Sequence, residues 1–406
     1  MKILQINMVY GRGSTGIIAK LISEQLTTAG HKAYIAYDGY DSRMFENGYR
    51  IGNKWTYRIH ANLFAKLLDL EGRGSYISTL RLCRWMDIIR PDIIHLHNIH
   101  GSYVNLSLLI KYINRNHIPV VMTLHDCWTM TGHCFHFESI GCNRWMSGCY
   151  DCPLHGIYPL SVGPDRSKQN YSWKKGLFNS VEKMHIVSVS HFIDNVVKQS
   201  YLSSCNHSVI HNGVDISLFK PINTDLRKRL NIKEGKKIIL GVSSGWSEDK
   251  GLNEMIYLSH DNRLQVIMIG VQSSLLHTLP SEIIALQRTE NQKELAEYYS
   301  IADVFVNPTY NDSFPTVNLE ALACGTPIAT YRTGGSPEAV DEKTGIIVNC
   351  GDQEGLHKAA VELANRDKGM VEQLCRKRAE IFFDQRVCYM PYMNIYEQLY
   401  AENKVK

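Results

Sequence analysis

Twice along this chain, short apolar runs alternate with longer amphipathic ones, and that alternation restricts the fold more than any other feature. In the first half, strand-like runs fall at Lys2–Val9, His31–Asp38, Pro91–Asn98, Pro119–Asp126 and His185–Ser190. Ile17–Ala29, Ser75–Ile89 and Val104–Asn116 read as helices between them. In the second half the strand-like runs are Lys237–Val242, Leu264–Ile269, Ile283–Leu286, Ala302–Val306, Pro327–Thr330 and Gly345–Val348. Strands separated by helices pair in parallel, and a parallel sheet is covered by helices on both faces. Ligands of such sheets bind at the carboxyl ends of the strands. The predicted class is therefore α/β. At 406 residues the chain is too long for one ordinary core. We place one domain at 1–205, with a Cys-rich insertion at 127–160, and a second at 206–384. The tail 385–406 is expected to form a helix packing back on the first domain, because the stretch Glu380 to Tyr400 carries Ile381, Phe382, Met390, Tyr392, Ile395, Tyr396 and Leu399 on an apolar face.

Composition excludes several classes. Hydrophobic content of 44% and charged content of 21% are those of a soluble globular protein. No apolar run approaches the ~18 residues that span a bilayer. The start, MKILQINMVYG, carries Gln5 and Asn7 where a signal peptide would be apolar, so a cytoplasmic protein is expected. A net charge of +4 allows acidic ligands or loose contact with an anionic leaflet, but is too small to argue for nucleic acid.

The segment Asn311–Gly325, NDSFPTVNLEALACG, follows an apolar run and opens from a polar loop into a helix. Its first helical amides are available to an anion. Asp312 in the loop and Glu320 on the helix place carboxylates where they can hold hydroxyls on both sides of a bound diphosphate, the layout of a nucleotide sugar. Taken alone, the two acids also fit a loop residue and a solvated helix residue.

Gly11-Arg12-Gly13-Ser14-Thr15-Gly16 after the first strand is a formal G-x-G-x-x-G, and Asp38 ends the second strand where a dinucleotide site keeps its ribose acid. These residues support an NAD(P)-dependent oxidoreductase as an alternative, and a nucleotide-sugar epimerase on the same fold is another. The same glycines suit a loop that lets an acceptor approach closely. His95 and His97 end one strand on a common face, and His125-Asp126 end the next.

Cys134, Cys142, Cys149 and Cys152 lie within the insertion and end in a C-x2-C pair, a common half-site for tetrahedral zinc. His133, His136 and His155 are alternative ligands. A structural zinc there would fold a long insertion; reduced thiols are the other reading. A zinc-organised scaffold without catalysis is the corresponding non-enzymatic alternative.

The segment around Asp312 and Glu320 resembles the acidic E-x7-E signature of retaining glycosyltransferases of group 1 (family 4), with Asp312 in the place of the first Glu. The Asn212-Gly213-Val214-Asp215 string, followed by Phe219 and Pro221, belongs to the same resemblance, and the Cys-rich stretch narrows it to relatives of colanic-acid and O-antigen glycosyltransferases. The resemblance implies the GT-B fold, two Rossmann-like domains facing across a cleft. It implies retaining transfer from a UDP- or GDP-linked sugar to a glycan or lipid-linked oligosaccharide acceptor, at the cytoplasmic face of the inner membrane, with no catalytic metal. His125 would reach the donor sugar near the reacting carbon, with Asp126 orienting it or meeting the acceptor. Gly13, Ser14, Thr15 and Gly16 would face the cleft. Lys250 would neutralise the diphosphate, and Glu320 would hold the ribose. Ser313, Phe314, Pro315 and Thr316 would complete the donor site. Gly245 stands where the family carries an Arg, so Arg288 or Arg332 is expected to supply the second cation.

Overall fold

Among the described residues, seven parallel strands build the first sheet: β1 (Lys2–Asn7), β2 (Lys32–Asp38), β3 (Gly48–Ile51), β4 (Ile93–Leu96), β5 (Val120–Leu124), β6 (Met184–Ser188) and β7 (Asn206–Val209). Their spatial order is 3-2-1-4-5-6-7. The computed structural model describes residues 1–40, 43, 45–157 and 159–404. Strands β1, β4 and β5 are almost wholly buried, as expected when helices cover both faces. The helix Leu106–Arg115 shows how the sequence achieves this. Leu106, Leu109, Ile110 and Ile113 recur on one face and are buried, and Asn105 caps the start by accepting from Leu108 N at 3.1 Å.

The second sheet repeats the plan with six parallel strands: β8 (Lys237–Val242), β9 (Leu264–Ile269), β10 (Ile284–Leu286), β11 (Val304–Asn307), β12 (Ile328–Tyr331) and β13 (Gly345–Val348), in the order 10-9-8-11-12-13. In each sheet the order reverses beside its first strand. The switch lies between β1 and β4 in one and between β8 and β11 in the other, where the loops part to leave a crevice.

The chain divides into two units: Met1–Ile210 with Tyr389–Lys406, and His211–Cys388. β7 joins the first sheet, so the first unit runs to Ile210 and not to 205. The final helix, Pro391–Lys404, belongs to the first unit. Tyr392 shares a hydrogen bond with Thr123 at 2.9 Å and Tyr396 with His95 at 2.7 Å. Its face is Tyr392, Ile395, Tyr396 and Leu399. Ile381, Phe382 and Met390, expected on that face, are exposed instead, because Phe382 ends the helix Lys368–Phe382, a short turn Gln385–Cys388 intervenes, and Pro391 starts the final helix. β3 and β7 were not expected. Both are short edge strands with few fully buried positions, so neither carries an apolar run.

Candidate functional site

In the second unit the loops after β8 and β11 meet at the switch point. Tyr310 N donates to Asp249 O at 2.9 Å, tying one loop to the other. Lys250 ends a short turn, Glu248–Lys250, and its Nζ reaches Asn311 O at 3.0 Å, Thr309 Oγ1 at 3.2 Å and Asp312 Oδ2 at 3.5 Å. Gly251 holds this turn in place: its φ is +75°, and a Cβ there would lie 2.3 Å from Pro308 Cγ. The structure thus brings Lys250 and Asp312 together. The backbone of Asp312 is fixed in turn, since its carbonyl accepts from Gly335 N at 3.2 Å. Gly335 belongs to the Gly-rich turn after β12.

The helix Thr316–Ala323 starts immediately after Pro315, with no side chain capping it. Its first N–H groups therefore stay available, and the helix dipole favours an anion there. Ala321, Ala323 and Gly325 let it pack closely: all three are buried, and a Cβ on Gly325 would lie 2.4 Å from Glu372 Cγ.

Glu320 projects from the second turn of that helix, and its Oε2 accepts from Tyr299 OH at 2.9 Å. The carboxyl is enclosed by protein yet keeps part of its surface in solvent. Burial pushes its pKa up from 4.5 to about 7, opposed only in part by the Tyr299 hydrogen bond.

The remaining expected donor residues divide. Ser313, Phe314 and Pro315 are buried. Phe314 packs on His211 and Phe383, with ring centroids 4.8 and 6.0 Å away, so its side chain is a core residue. Asn212 Nδ2 donates to Phe314 O at 3.0 Å, which gives the Asn-Gly string a role: it steadies the loop that carries Asp312. Thr316 opens the helix, part-exposed. Arg288 follows the outermost strand, β10, and is exposed, with β9 and β8 between it and β11. Arg332 follows β12, which pairs directly with β11. In strand order Arg332 thus lies nearer to β11 than Arg288 does, and it too is exposed. Gly245, in the place of the family's Arg, is folded into a tight loop in which its carbonyl accepts from Ser243 Oγ at 2.8 Å.

In the first unit the histidines form a buried chain. Gln5 Nε2 donates to Ala19 O at 2.9 Å and lies 2.7 Å from Ser23 Oγ, which leaves Gln5 Oε1 to accept from His97 Nε2 at 2.8 Å. A neutral His97 must then accept at Nδ1, so His125 donates to it from Nε2 at 3.1 Å and presents a bare Nδ1. Both rings are neutral near pH 7: burial lowers His97 strongly, and it lowers His125 to about 4. Asp126 does not orient His125. Its oxygens are occupied by His100 Nε2 at 2.7 Å and Trp128 N at 2.9 Å. Burial alone would raise the Asp126 carboxyl, but His100, as charge and as hydrogen-bond partner, helps hold it at about 2. Sequence reasoning missed Gln5 as the anchor of this chain. The available signal was a polar side chain inside a strand buried on both faces.

Gly13, Ser14, Thr15 and Gly16 form the first turn of the helix Gly13–Thr28 rather than a free loop. Gly11 N closes the turn onto Gly16 O at 2.9 Å. Asp38 ends β2 buried, with Oδ1 accepting from Tyr40 N at 3.1 Å.

The four insertion cysteines do not converge as a tetrahedral zinc site requires. Cys134 hydrogen-bonds Cys152, which raises the first thiol and lowers the second to about 7. Cys149 Sγ instead accepts from Gly132 N at 3.1 Å. Among the described residues, no three of these sulfurs belong to a group lying within 4.8 Å of one another.

Comparison with known proteins places these features. Residues 16–218 match the model of Glycosyltransferase Family 4, and residues 223–379 match that of Glycosyl transferases group 1. The putative colanic acid biosynthesis glycosyl transferase WcaC of Escherichia coli K12 is 23% identical over 418 residues, covering 98% of this chain and all of that one. Among solved structures, sucrose-phosphate synthase from Thermosynechococcus elongatus superposes with a TM-score of 0.72 at 16% identity, over 99% of both chains. Anabaena HepE in complex with UDP-glucose gives 0.68 at 15%, over 98% of this chain and all of that one.

Proposed function

Because this chain belongs to glycosyltransferase family 4, we propose that it moves a sugar from a nucleotide-diphosphate donor to a glycan acceptor in bacterial surface-polysaccharide assembly, with retention at the anomeric carbon. The observation that supports this best is the switch point of the second unit. Lys250, Asp312 and an uncapped helix N-terminus meet there, with the half-buried Glu320 further along the same helix. In this reading Glu320 accepts from the ribose hydroxyls, Asp312 from the donor sugar, and the helix N–H groups and Lys250 take the diphosphate. Charge grows on the departing diphosphate in the transition state, where fixed dipoles and a cation are worth several kcal/mol. A diphosphate oxygen can accept the acceptor's proton on the face it leaves, so no separate general base is needed. His125 accepts a hydrogen bond from the donor sugar through its bare Nδ1.

WcaC and HepE supply the details to test first: the name of one speaks of colanic acid and the other was solved with UDP-glucose. A thermal-shift and calorimetric screen against UDP, GDP, ADP, dTDP, NAD and NADP decides the donor. One nucleoside diphosphate should stabilise the protein, UDP being the first candidate. Lys250→Ala should weaken that binding about tenfold, the effect of losing one charge-assisted contact. Binding of NAD or NADP alone would move the site to Gly11–Gly16 and Asp38 and return the oxidoreductase reading.

The acceptor is proposed to be lipid-linked and met at an anionic membrane surface. The helical stretch Lys54–Leu67 bares Trp55, Ile59, Leu63 and Leu67, four residues apart and so on one face, with Lys54, Arg58 and Lys66 exposed among them. Ile157, Leu160 and Val162 are exposed as well, and Val162 N donates to Lys66 O at 2.9 Å. No helix among the described residues is long and apolar enough to cross a membrane. An apolar face edged by cations lies in the interface of a charged bilayer. In co-sedimentation with phosphatidylglycerol vesicles, Trp55→Glu with Leu63→Glu should lower partitioning about tenfold or more. Equal binding by the double variant would remove this surface from the account.

A further inference from the structure

Among its described residues, the insertion that begins at Cys127 shows three short turns of helix, at Trp128–Met130, Glu138–Ile140 and Arg144–Met146. A segment so poor in regular structure needs cross-links to hold one shape. The thiols supply few, but three other side chains converge. Asp69, His133 and His155 each offer one ligand atom, and those atoms lie within 4.8 Å of one another. They come from separate places. Asp69 follows the helical segment His60–Leu67 in a left-handed conformation, while His133 and His155 lie in the insertion.

We propose that Asp69, His133 and His155 form a divalent-metal centre, of the zinc class, that fastens the insertion to the first unit. His133 Nε2–H donates to Pro159 O at 2.7 Å, which turns its Nδ1 toward Asp69 Oδ1, also 2.7 Å away. A metal-bound histidine commonly gives its other N–H to a backbone carbonyl in this way. The carboxylate is oriented too, since Asp69 Oδ2 accepts from Arg166 N at 2.9 Å. His155 Nε2 is buried without a hydrogen-bond partner and lies 3.8 Å from Asp69 Oδ2. An imidazole nitrogen this close to a carboxylate needs a proton or a cation between them. Two imidazoles and one carboxylate suit zinc with water in the fourth position, and metal bonds of about 2.0–2.1 Å would draw the ligand atoms closer together than they now stand. The arrangement differs from the four-thiol site expected for this stretch, and it does not rest on the reading of the donor site.

The test uses the full chain, stripped by a chelator and titrated with Co²⁺ or Zn²⁺ alone. One equivalent of Co²⁺ should bind with ligand-field bands and without a thiolate charge-transfer band. His155→Ala should lower Zn²⁺ affinity by more than about tenfold, and Cys142→Ser with Cys149→Ser should leave it unchanged. Asp69→Asn is the second ligand variant. If it unfolds, His155→Ala carries the test, because that ring lies nearer the surface. An intense thiolate charge-transfer band, unchanged affinity in His155→Ala, or no stoichiometric metal would each overturn the proposal.

Discussion

His125→Ala is expected to lower kcat by about 10²–10³-fold, the usual cost of losing one transition-state contact, while leaving nucleoside diphosphate affinity unchanged. The split follows from where the ring sits. His125 ends β5 in the first unit, whereas the proposed nucleotide contacts belong to the second. His97→Leu should lower kcat about tenfold, the order of one hydrogen bond, because it removes the acceptor that fixes the His125 tautomer without removing the ring. pH separates this from generic damage. His125 stays neutral down to about 4, so this chain of rings should contribute no inflection to the rate between pH 6 and 9. The same shift has a stability consequence. An unfolded His125 takes a proton near 6.5 that the folded one refuses until about 4. Stability from this group is therefore complete above 6.5 and is lost as pH falls toward 4. His125→Ala should flatten that part of the curve in urea titrations. An alanine variant with full activity would remove His125 from the reaction.

Much of this architecture was legible in the sequence because parallel strands buried on both faces are continuous apolar runs, as in Lys237–Val242 and Pro119–Asp126. The two edge strands of the first sheet have little apolar content, so Gly48–Ile51 and Asn206–Val209 left no such trace. The placement of the candidate residues was legible where it depends on chain order: Lys250-Gly251 after one strand, and Asp312 to Glu320 after another. It was illegible where function depends on partners distant in sequence. Nothing local says that Gln5 will anchor His97, that Asp126 will be taken by His100, or that Phe314 will face His211 rather than a ligand. The tail shows the same limit. Its apolar positions suggest one helix, yet Pro391 restarts it and leaves Phe382 and Met390 exposed. Spacing identified which cysteines could meet but could not fix loop geometry, and the side chains that converge include Asp69, from outside the insertion.

Glu320→Gln should make the unliganded protein more stable and the enzyme worse, and the two effects share one cause. With its pKa at about 7 instead of 4.5, the folded carboxyl holds a proton that the unfolded one has released. Between those values stability falls as pH rises, and by pH 8 the whole cost of ionising an enclosed acid is present. A shift of that size sets a ceiling of about 3 kcal/mol. Since the carboxyl keeps contact with solvent, ~1–2 kcal/mol is the working figure. Glutamine carries no charge and can still accept from Tyr299, so at pH 8 its Tm should rise by about 2–6 °C, and the gain should vanish as pH falls below 4.5. Nucleotide binding reverses the sign. Ribose hydroxyls donate best to an ionised carboxylate, so wild-type affinity should climb as pH passes through about 7. Glu320→Gln should bind about 10²-fold more weakly at pH 8, the loss of two charge-assisted bonds, and without the pH dependence. Calorimetry at pH 6, 7 and 8 on both proteins reads all of this at once. A glutamine variant that is less stable at pH 8 would refute the burial argument. One that binds the nucleotide as tightly as wild type would leave Glu320 without the ribose and require another residue to hold it.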